Sequence, residues 1–417
     1  MACLIYAFTG MNVMLIAATL PAIIGEWNLN LVVAGTLASS GYLGMFVGAL
    51  SCGFLADLFG RKKAILLTLV MMATFTGLCS ISWDVVSMSV LRFLAGIGLG
   101  GSLPQPGVYI SEYVPAKNRG TFLGMTESSW VYGALLAILF PFFLLPTYGW
   151  RLTFLVAFIP LFLVPLVKFL MPESLRYLEL KGRQEEAMEM LHNYGLIPSG
   201  KISSKDDPKT TKVTAKPSLL ELWSPSYRGR TALLWISWAV LVYTYHGIFV
   251  WLPKIYQGMG LTLVRSLFWV VVVTLVQVPG YYSATFLLDR IGRKRVLGLY
   301  LAVAGVACFL LGFSRDIGFI LLWSSVISFF NLGAWAGLYT YTPELYPTRM
   351  RGTGSGTAAS IGRLAGIIAP TLTPLLWVTW GLWSAFGVFA FAHIAAALAV
   401  TLLGVETKWK ALEEISE

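Results

Sequence analysis

The chain has 417 residues, of which 57% are hydrophobic and only 12% charged, with a mean hydropathy of +0.74. A soluble domain carries about 25% charged residues, so these values exclude an ordinary globular protein and place the chain in a bilayer. Its net charge of +10 is accompanied by no basic nucleic-acid motif, which excludes a nucleic-acid partner and leaves membrane orientation as the use of the charge.

An apolar stretch of about 20 residues crosses the hydrocarbon core as a helix. The sequence predicts twelve, beginning at Met1, Val32, Ala64, Ser87, Arg119, Arg151, Arg228, Arg265, Val296, Gly318, Gly352 and Trp383. The runs are continuous and lack the ten-residue alternation of a transmembrane barrel, so the predicted class is an all-α membrane protein. Met1 lies almost against the first span with no basic n-region or cleavage site, and reads as a retained first helix with a trimmed tail. Between the sixth and seventh spans, Pro172 to His192 reads as an amphipathic helix and Ser199 to Pro217 as a flexible linker. The predicted organisation is a six-helix half over 1–170, a connecting segment over 171–227, a second half over 228–405 and a tail over 406–417.

Of the 30 Lys and Arg, 24 fall in loops on the Arg61 side, four on the other face, and two, Arg92 and Arg363, within spans. By the positive-inside rule this puts both termini and the connecting segment in the cytoplasm. The cysteines Cys3, Cys52, Cys79 and Cys308 all lie in apolar spans without metal-ligand spacing and read as packing residues, so no metal or cofactor is expected.

Asp57-Leu-Phe-Gly60-Arg61-Lys62-Lys63 recurs as Asp289-Arg-Ile-Gly292-Arg293-Lys294-Arg295, 232 residues later. The same offset carries Tyr109, Glu112, Pro115 and Arg119 onto Tyr341, Glu344, Pro347 and Arg351, and Pro21 onto Pro253. Phe154 falls likewise on Phe386, and one ungapped register from the first helix to the sixth marks a tandem duplication. Six spans per unit imply two parallel halves related by an axis along the membrane normal. The repeated charges are either orientation anchors or gates; because the whole set repeats, Asp57, Arg61, Glu112, Arg119, Asp289, Arg293, Glu344 and Arg351 are expected to gate, through ion pairs weak enough to break in each cycle. Gly96-x-Gly98-x-Gly100-Gly101 mimics a dinucleotide loop but lies inside an apolar helix with no preceding strand, and reads as a surface for close helix contact.

Three charges lie inside spans, where each costs about 2.5 to 3.5 kcal/mol on insertion scales. Glu127 is eight residues beyond Arg119, Arg363 twelve beyond Arg351, and Arg92 sits nearer the outer end of the fourth span. Such groups either tie helices together as ion pairs or serve a ligand. Under the 232 offset Glu127 maps to Ala359, Arg92 to Ser324 and Arg363 back to Val131. The gates repeat and the deep charges do not, as expected of a site for an asymmetric ligand. His246 either titrates, stacks on a ring or is a hydrogen-bonded interior imidazole. His393 reads as structural. Trp130, Tyr245, Gln277, Asn331, Trp335 and Tyr339 cluster in the same spans and together suit a flat aromatic ligand.

Gly53-x-x-x-Asp57-x-x-Gly60-Arg61-Lys62-Lys63 resembles the signature of the major facilitator superfamily over nearly the whole chain. Pro172-Glu-Ser-x-Arg-Tyr, Tyr245-His-Gly-Ile-Phe-Val-Trp-Leu-Pro253, Phe329-Phe-Asn-Leu-Gly-Ala-Trp335 and Tyr341-Thr-Pro-Glu-Leu-Tyr-Pro347 resemble bacterial nicotinate transporters and related aromatic-acid and organic-cation carriers. The resemblance implies a monomeric plasma-membrane carrier, not an enzyme, that moves a small organic anion by alternating access. It also links Arg92 to coupling. Arg363 would hold the carboxylate; Trp130, Tyr245, His246 and Trp335 would hold the ring, with Asn12, Gln277, Asn331 and Tyr339 beside it. The related pattern carries acids where this chain has Asn12 and Ser102, which leaves Glu127 as the main membrane carboxylate: transport is either proton-coupled through Glu127 or uncoupled. A sugar or organic-cation carrier is the alternative, since Pro172-Glu-Ser-x-Arg-Tyr is similar to those families as well.

Overall fold

The computed structural model describes residues 1–408 except 115, 175–176, 179–180, 194–218 and 348–349, and leaves out the side chains of 53, 54, 57, 111, 112, 116–121 and 189–193. The linker expected at Ser199 to Pro217 and the end of the tail lie outside the described residues.

The first half opens with α1 (Ala2–Trp27), α2 (Leu31–Phe59), α3 (Arg61–Leu78) and α4, which runs as Val85–Ser102 and resumes as Pro104–Tyr113. Residues Phe122–Leu170 then form 49 residues of continuous high hydropathy, about 73 Å of unbroken helix at 1.5 Å per residue and more than two core thicknesses. Gly149, at φ 73°, breaks the helix Ala116–Phe154 and divides this run into two crossings. We call them α5 (116–148) and α6 (150–170); α6 tightens into a 3-10 stretch over Leu155–Phe162 before ending as Leu163–Leu170. The second half holds α7 (Arg228–Phe249, then Leu252–Gly258), α8 (Leu263–Leu275, then Gln277–Ile291), α9 (Arg293–Phe313), α10 (Ile317–Glu344), α11 (Arg351–Trp380) and α12 (Leu382–Leu403).

Most helices begin one to three residues before the apolar windows, because their first turns carry polar groups that a hydropathy reading leaves outside. Asn30 Oδ1 accepts from the Val33 N–H at 2.8 Å, Asp84 Oδ1 from the Ser87 N–H at 2.7 Å, and Asp316 Oδ1 from the Gly318 N–H at 2.8 Å. Each satisfies an amide that the helix itself cannot. Among the described residues of the connecting segment, 177–178 and Gln184–Asn193 are helical, and Gly182 at φ 71° breaks the single helix expected over Pro172 to His192.

The 232-residue register is written into the backbone. Gly60 and Gly292 stand at φ 101° and 104° with ψ 158° in both, a region closed to side chains. Asn28 and Gly260 turn the chain at φ 50° and 90°, and Gly149 and Gly381 at φ 73° and 91°. Asp84 and Asp316 cap corresponding helices.

The glycine run of α4 packs on α2: a Cβ on Gly44 would lie 2.0 Å from the Phe93 carbonyl oxygen, so the two backbones are in contact. Between the halves, α2 meets α11 and α5 meets α8. At the face away from Arg61 this seam is tight. Ser39 Oγ and Thr371 Oγ1 are 2.9 Å apart, a Cβ on Gly35 would lie 2.4 Å from the Pro370 carbonyl oxygen, and the Phe142 and Phe268 rings stand 6.4 Å apart.

Candidate functional site

Between the halves lies a cavity of about 450 Å³, within the range of small-molecule sites. Its walls come from both: Tyr6 of α1, Met45 of α2, Thr126, Glu127, Trp130 and Val131 of α5, Trp238, Val242, Tyr245 and His246 of α7, Tyr281 of α8, Leu332, Trp335 and Tyr339 of α10, and Ala359 and Arg363 of α11. It continues past Leu103, Pro104, Gly107, Val108 and Leu123 toward the Arg61 face.

The walls are aromatic and interlocked. Trp238 meets Trp335 and Tyr339 edge to face at 5.5 and 5.2 Å, and Trp335 lies 5.5 Å from Tyr339. Across the seam, Trp130 donates its indole N–H to the Tyr245 hydroxyl at 3.0 Å, the Tyr42 hydroxyl and His246 Nδ1 are 2.9 Å apart, and the Tyr6 and Tyr339 hydroxyls 3.5 Å. His246 is therefore hydrogen-bonded between the halves at the cavity wall.

Glu127 and Arg363 both line this cavity, on opposite halves, and both lie within Coulombic reach of the Tyr339 hydroxyl. Neither has an ion-pair partner among the described residues. The ion-pair alternative raised from the sequence therefore has no support in this arrangement. The positions that mirror them, Ala359 and Val131, line the same cavity and are apolar.

Other residues expected at the site lie behind it. Asn12 is buried in α1, where its Nδ2 donates back to the Phe8 carbonyl at 2.9 Å. Asn331 Nδ2 lies 3.2 Å from both Thr244 Oγ1 and His393 Nε2, which ties α10 to α7 and α12 and gives His393 its partners. Gln277 is buried beside the Tyr245 hydroxyl. Arg92, 1% exposed, packs on Gly41 and donates to the Asn12 carbonyl at 3.3 Å, inside the first half and apart from the cavity.

Of the expected gate residues, the side chains of Asp57, Glu112 and Arg119 lie outside the description; Arg61 and Arg351 begin α3 and α11. In the second half Arg293 stands 3.2 Å from Asp289 and 3.3 Å from Glu344. Two further carboxylates, not foreseen, hold the same turns. Glu173 Oε1 accepts from the Lys62 N–H at 3.0 Å and Glu406 Oε1 from the Arg293 N–H at 2.8 Å, each at a helix N-terminus where a negative charge is favoured. Tyr6, Trp238 and Tyr281 were likewise not foreseen as cavity residues. The i, i+4 spacing of Tyr281 from Gln277 is the one signal that points to it.

The family model described as "Sugar (and other) transporter" matches residues 7–417. The chain is 35% identical to the niacin transporter NiaP of Acinetobacter baylyi, over 98% of this chain and 94% of that protein. It is 32% identical to the putative niacin/nicotinamide transporter NiaP of Bacillus subtilis, over 98% and 95%. The inward-open structure of the xylose transporter XylE from E. coli superposes with a TM-score of 0.77 at 19% identity, over 99% of this chain and 97% of that one, and shows the shared fold. The duplicated six-helix halves, the signature turns and these likenesses agree: the chain is a multi-pass membrane transporter, not an enzyme, and belongs to the sugar (and other) transporter family of the major facilitator superfamily.

Proposed function

We propose that this transporter carries a small aromatic or heterocyclic monocarboxylate of the nicotinate kind across the plasma membrane. It works as a monomer by alternating access, with both termini cytoplasmic. The observation that carries this reading is Arg363 in an aromatic cavity shared with Glu127 of the other half, neither with an ion-pair partner among the described residues. An intramembrane guanidinium costs about 2.5 to 3.5 kcal/mol on insertion scales, which a substrate carboxylate would offset on binding. Trp130, Tyr245, Trp238 and Trp335 offer ring faces and edges to a flat ligand. Glu127 carries the proton. The tight seam at Gly35, Ser39 and Thr371, with the cavity running toward the basic face, supports an inward-facing arrangement, and rocking of the halves exposes the site to the other side. The niacin transporters among the relatives point to the same substrate class.

A sugar is the weaker fit. A polyhydroxylated ligand needs many planar polar partners, and the described residues lining this cavity include one carboxylate and no Asn or Gln.

Uptake of labelled nicotinate into proteoliposomes tests the reading. Arg363→Ala is expected to weaken apparent affinity by about ten- to a hundred-fold, the loss of a charged hydrogen-bonded contact. Unchanged carboxylate affinity, or a saturable response to xylose or a quaternary amine with none to any acid, would overturn it.

A further inference from the structure

The cavity presents a second group without a partner among the described residues, on the half opposite Arg363. Three hydroxyls come within Coulombic reach of Glu127, those of Tyr6, Tyr281 and Tyr339, yet all are engaged elsewhere. Tyr281 donates to the Gly124 carbonyl at 3.4 Å, and Tyr6 and Tyr339 meet each other. Four further polar groups of the cavity are engaged too: Trp130 on Tyr245, Trp238 on the Thr342 hydroxyl at 3.0 Å, Thr126 on the Phe122 carbonyl at 2.9 Å, and His246 on Tyr42. Glu127 has no hydrogen bond among the described residues, although it lines the cavity.

We infer that Glu127 is the specificity residue for a ring nitrogen: its protonated carboxyl donates an O–H hydrogen bond to the lone pair of a pyridine-type nitrogen while Arg363 holds the carboxylate of the same ligand. This inference rests on the proposed function for the carboxylate end and adds the second end. An aromatic acid without a ring nitrogen satisfies Arg363 and leaves Glu127 unpaired; a pyridine carboxylate satisfies both. The proton is then held between protein and substrate, with no covalent bond made or broken, so binding the ring loads the proton with it. A site built to hydrogen-bond one ligand atom rejects the analogue that lacks it more strongly than an apolar pocket does, because the buried polar group is left unmet.

Competition against labelled nicotinate in proteoliposomes, with unlabelled nicotinate and benzoate as probes, tests this. In the unaltered protein benzoate should need a concentration about ten-fold or more above that of nicotinate. Glu127→Leu should bring the two within about two-fold by weakening nicotinate and leaving benzoate in place. Glu127→Gln, whose amide donates to the same nitrogen and does not titrate, should keep the discrimination and lose the gain in nicotinate affinity at lower pH. Equal competition by both acids in the unaltered protein, or an equal loss of both in Glu127→Leu, would sink the ring-nitrogen assignment and leave the carboxylate site at Arg363 standing. Binding of neither acid would remove the Arg363 reading first, and this one with it.

Discussion

At the basic face the two halves do the same thing twice. Glu173 and Glu406 each accept from the first amides of α3 and α9, beside glycines with nearly equal backbone angles. At mid-membrane they do different things with the same positions. Glu127 is mirrored by Ala359 and Arg363 by Val131, and all four line one cavity. The rocking proposed above needs two equal turns, and the duplication is kept there. The proposed ligand has two unlike ends and needs two unlike walls, and the duplication is lost there.

This comparison can be broken in four ways. The largest effect is expected at the turns: Gly60→Val and Gly292→Val force a branched side chain into a positive-φ region worth about 1 to 3 kcal/mol of strain, and a Cβ at either would lie 2.3 Å from a carboxylate oxygen of Glu173 or Glu406. Thermal unfolding in detergent should fall by similar amounts for both; a large fall in only one would mean that the two turns are unequal. Next is the cavity. Ala359→Glu places a carboxylate one turn before Arg363 on α11, a favourable i, i+4 arrangement. By occupying the guanidinium it should weaken nicotinate uptake about ten-fold while leaving the melting temperature near that of the unaltered protein. Smaller are Glu173→Gln and Glu406→Gln, each expected to cost about 1 kcal/mol of stability through the loss of a charged contact with a helix N-terminus. Smallest are the caps. Asp84→Ala and Asp316→Ala should lower the melting temperature slightly and alike. The Ser87 hydroxyl and amide hold the Asp84 carboxyl below the usual carboxylate range. Its contribution is therefore present above the unfolded value and lost as pH falls through the folded one, and an Asp84→Ala deficit that persisted in acid would contradict the cap.

Twelve crossings, two halves and the 232 register were legible in the sequence, because hydropathy and identity act over long stretches. The paired carboxylates were not. Glu173 and Glu406 are 233 residues apart, one step off the ungapped register, so the comparison that found Gly60 and Gly292 passed over them. Glu127 and Arg363 stood out as charges in apolar spans and do line the cavity. Asn12, Gln277 and Asn331 stood out equally, but a buried amide is as useful between helices as in a pocket, and only the helix rotation decides which. Asn331 faces Thr244 and His393. Trp238 and Tyr6 give no signal of their own, since a membrane helix also uses aromatic rings at the lipid interface.

The seam at the face away from Arg61 is made of Gly35, Ser39 and Thr371 with the Phe142 and Phe268 rings, all uncharged, whereas the turns at the other face rest on carboxylates, a guanidinium and helix ends. Ionic strength screens exposed and half-exposed charges and leaves neutral packing almost untouched. The contacts at the two faces therefore answer to different variables: electrolyte concentration acts on the turns of the basic face, and the seam at the other face is set by how closely two backbones fit.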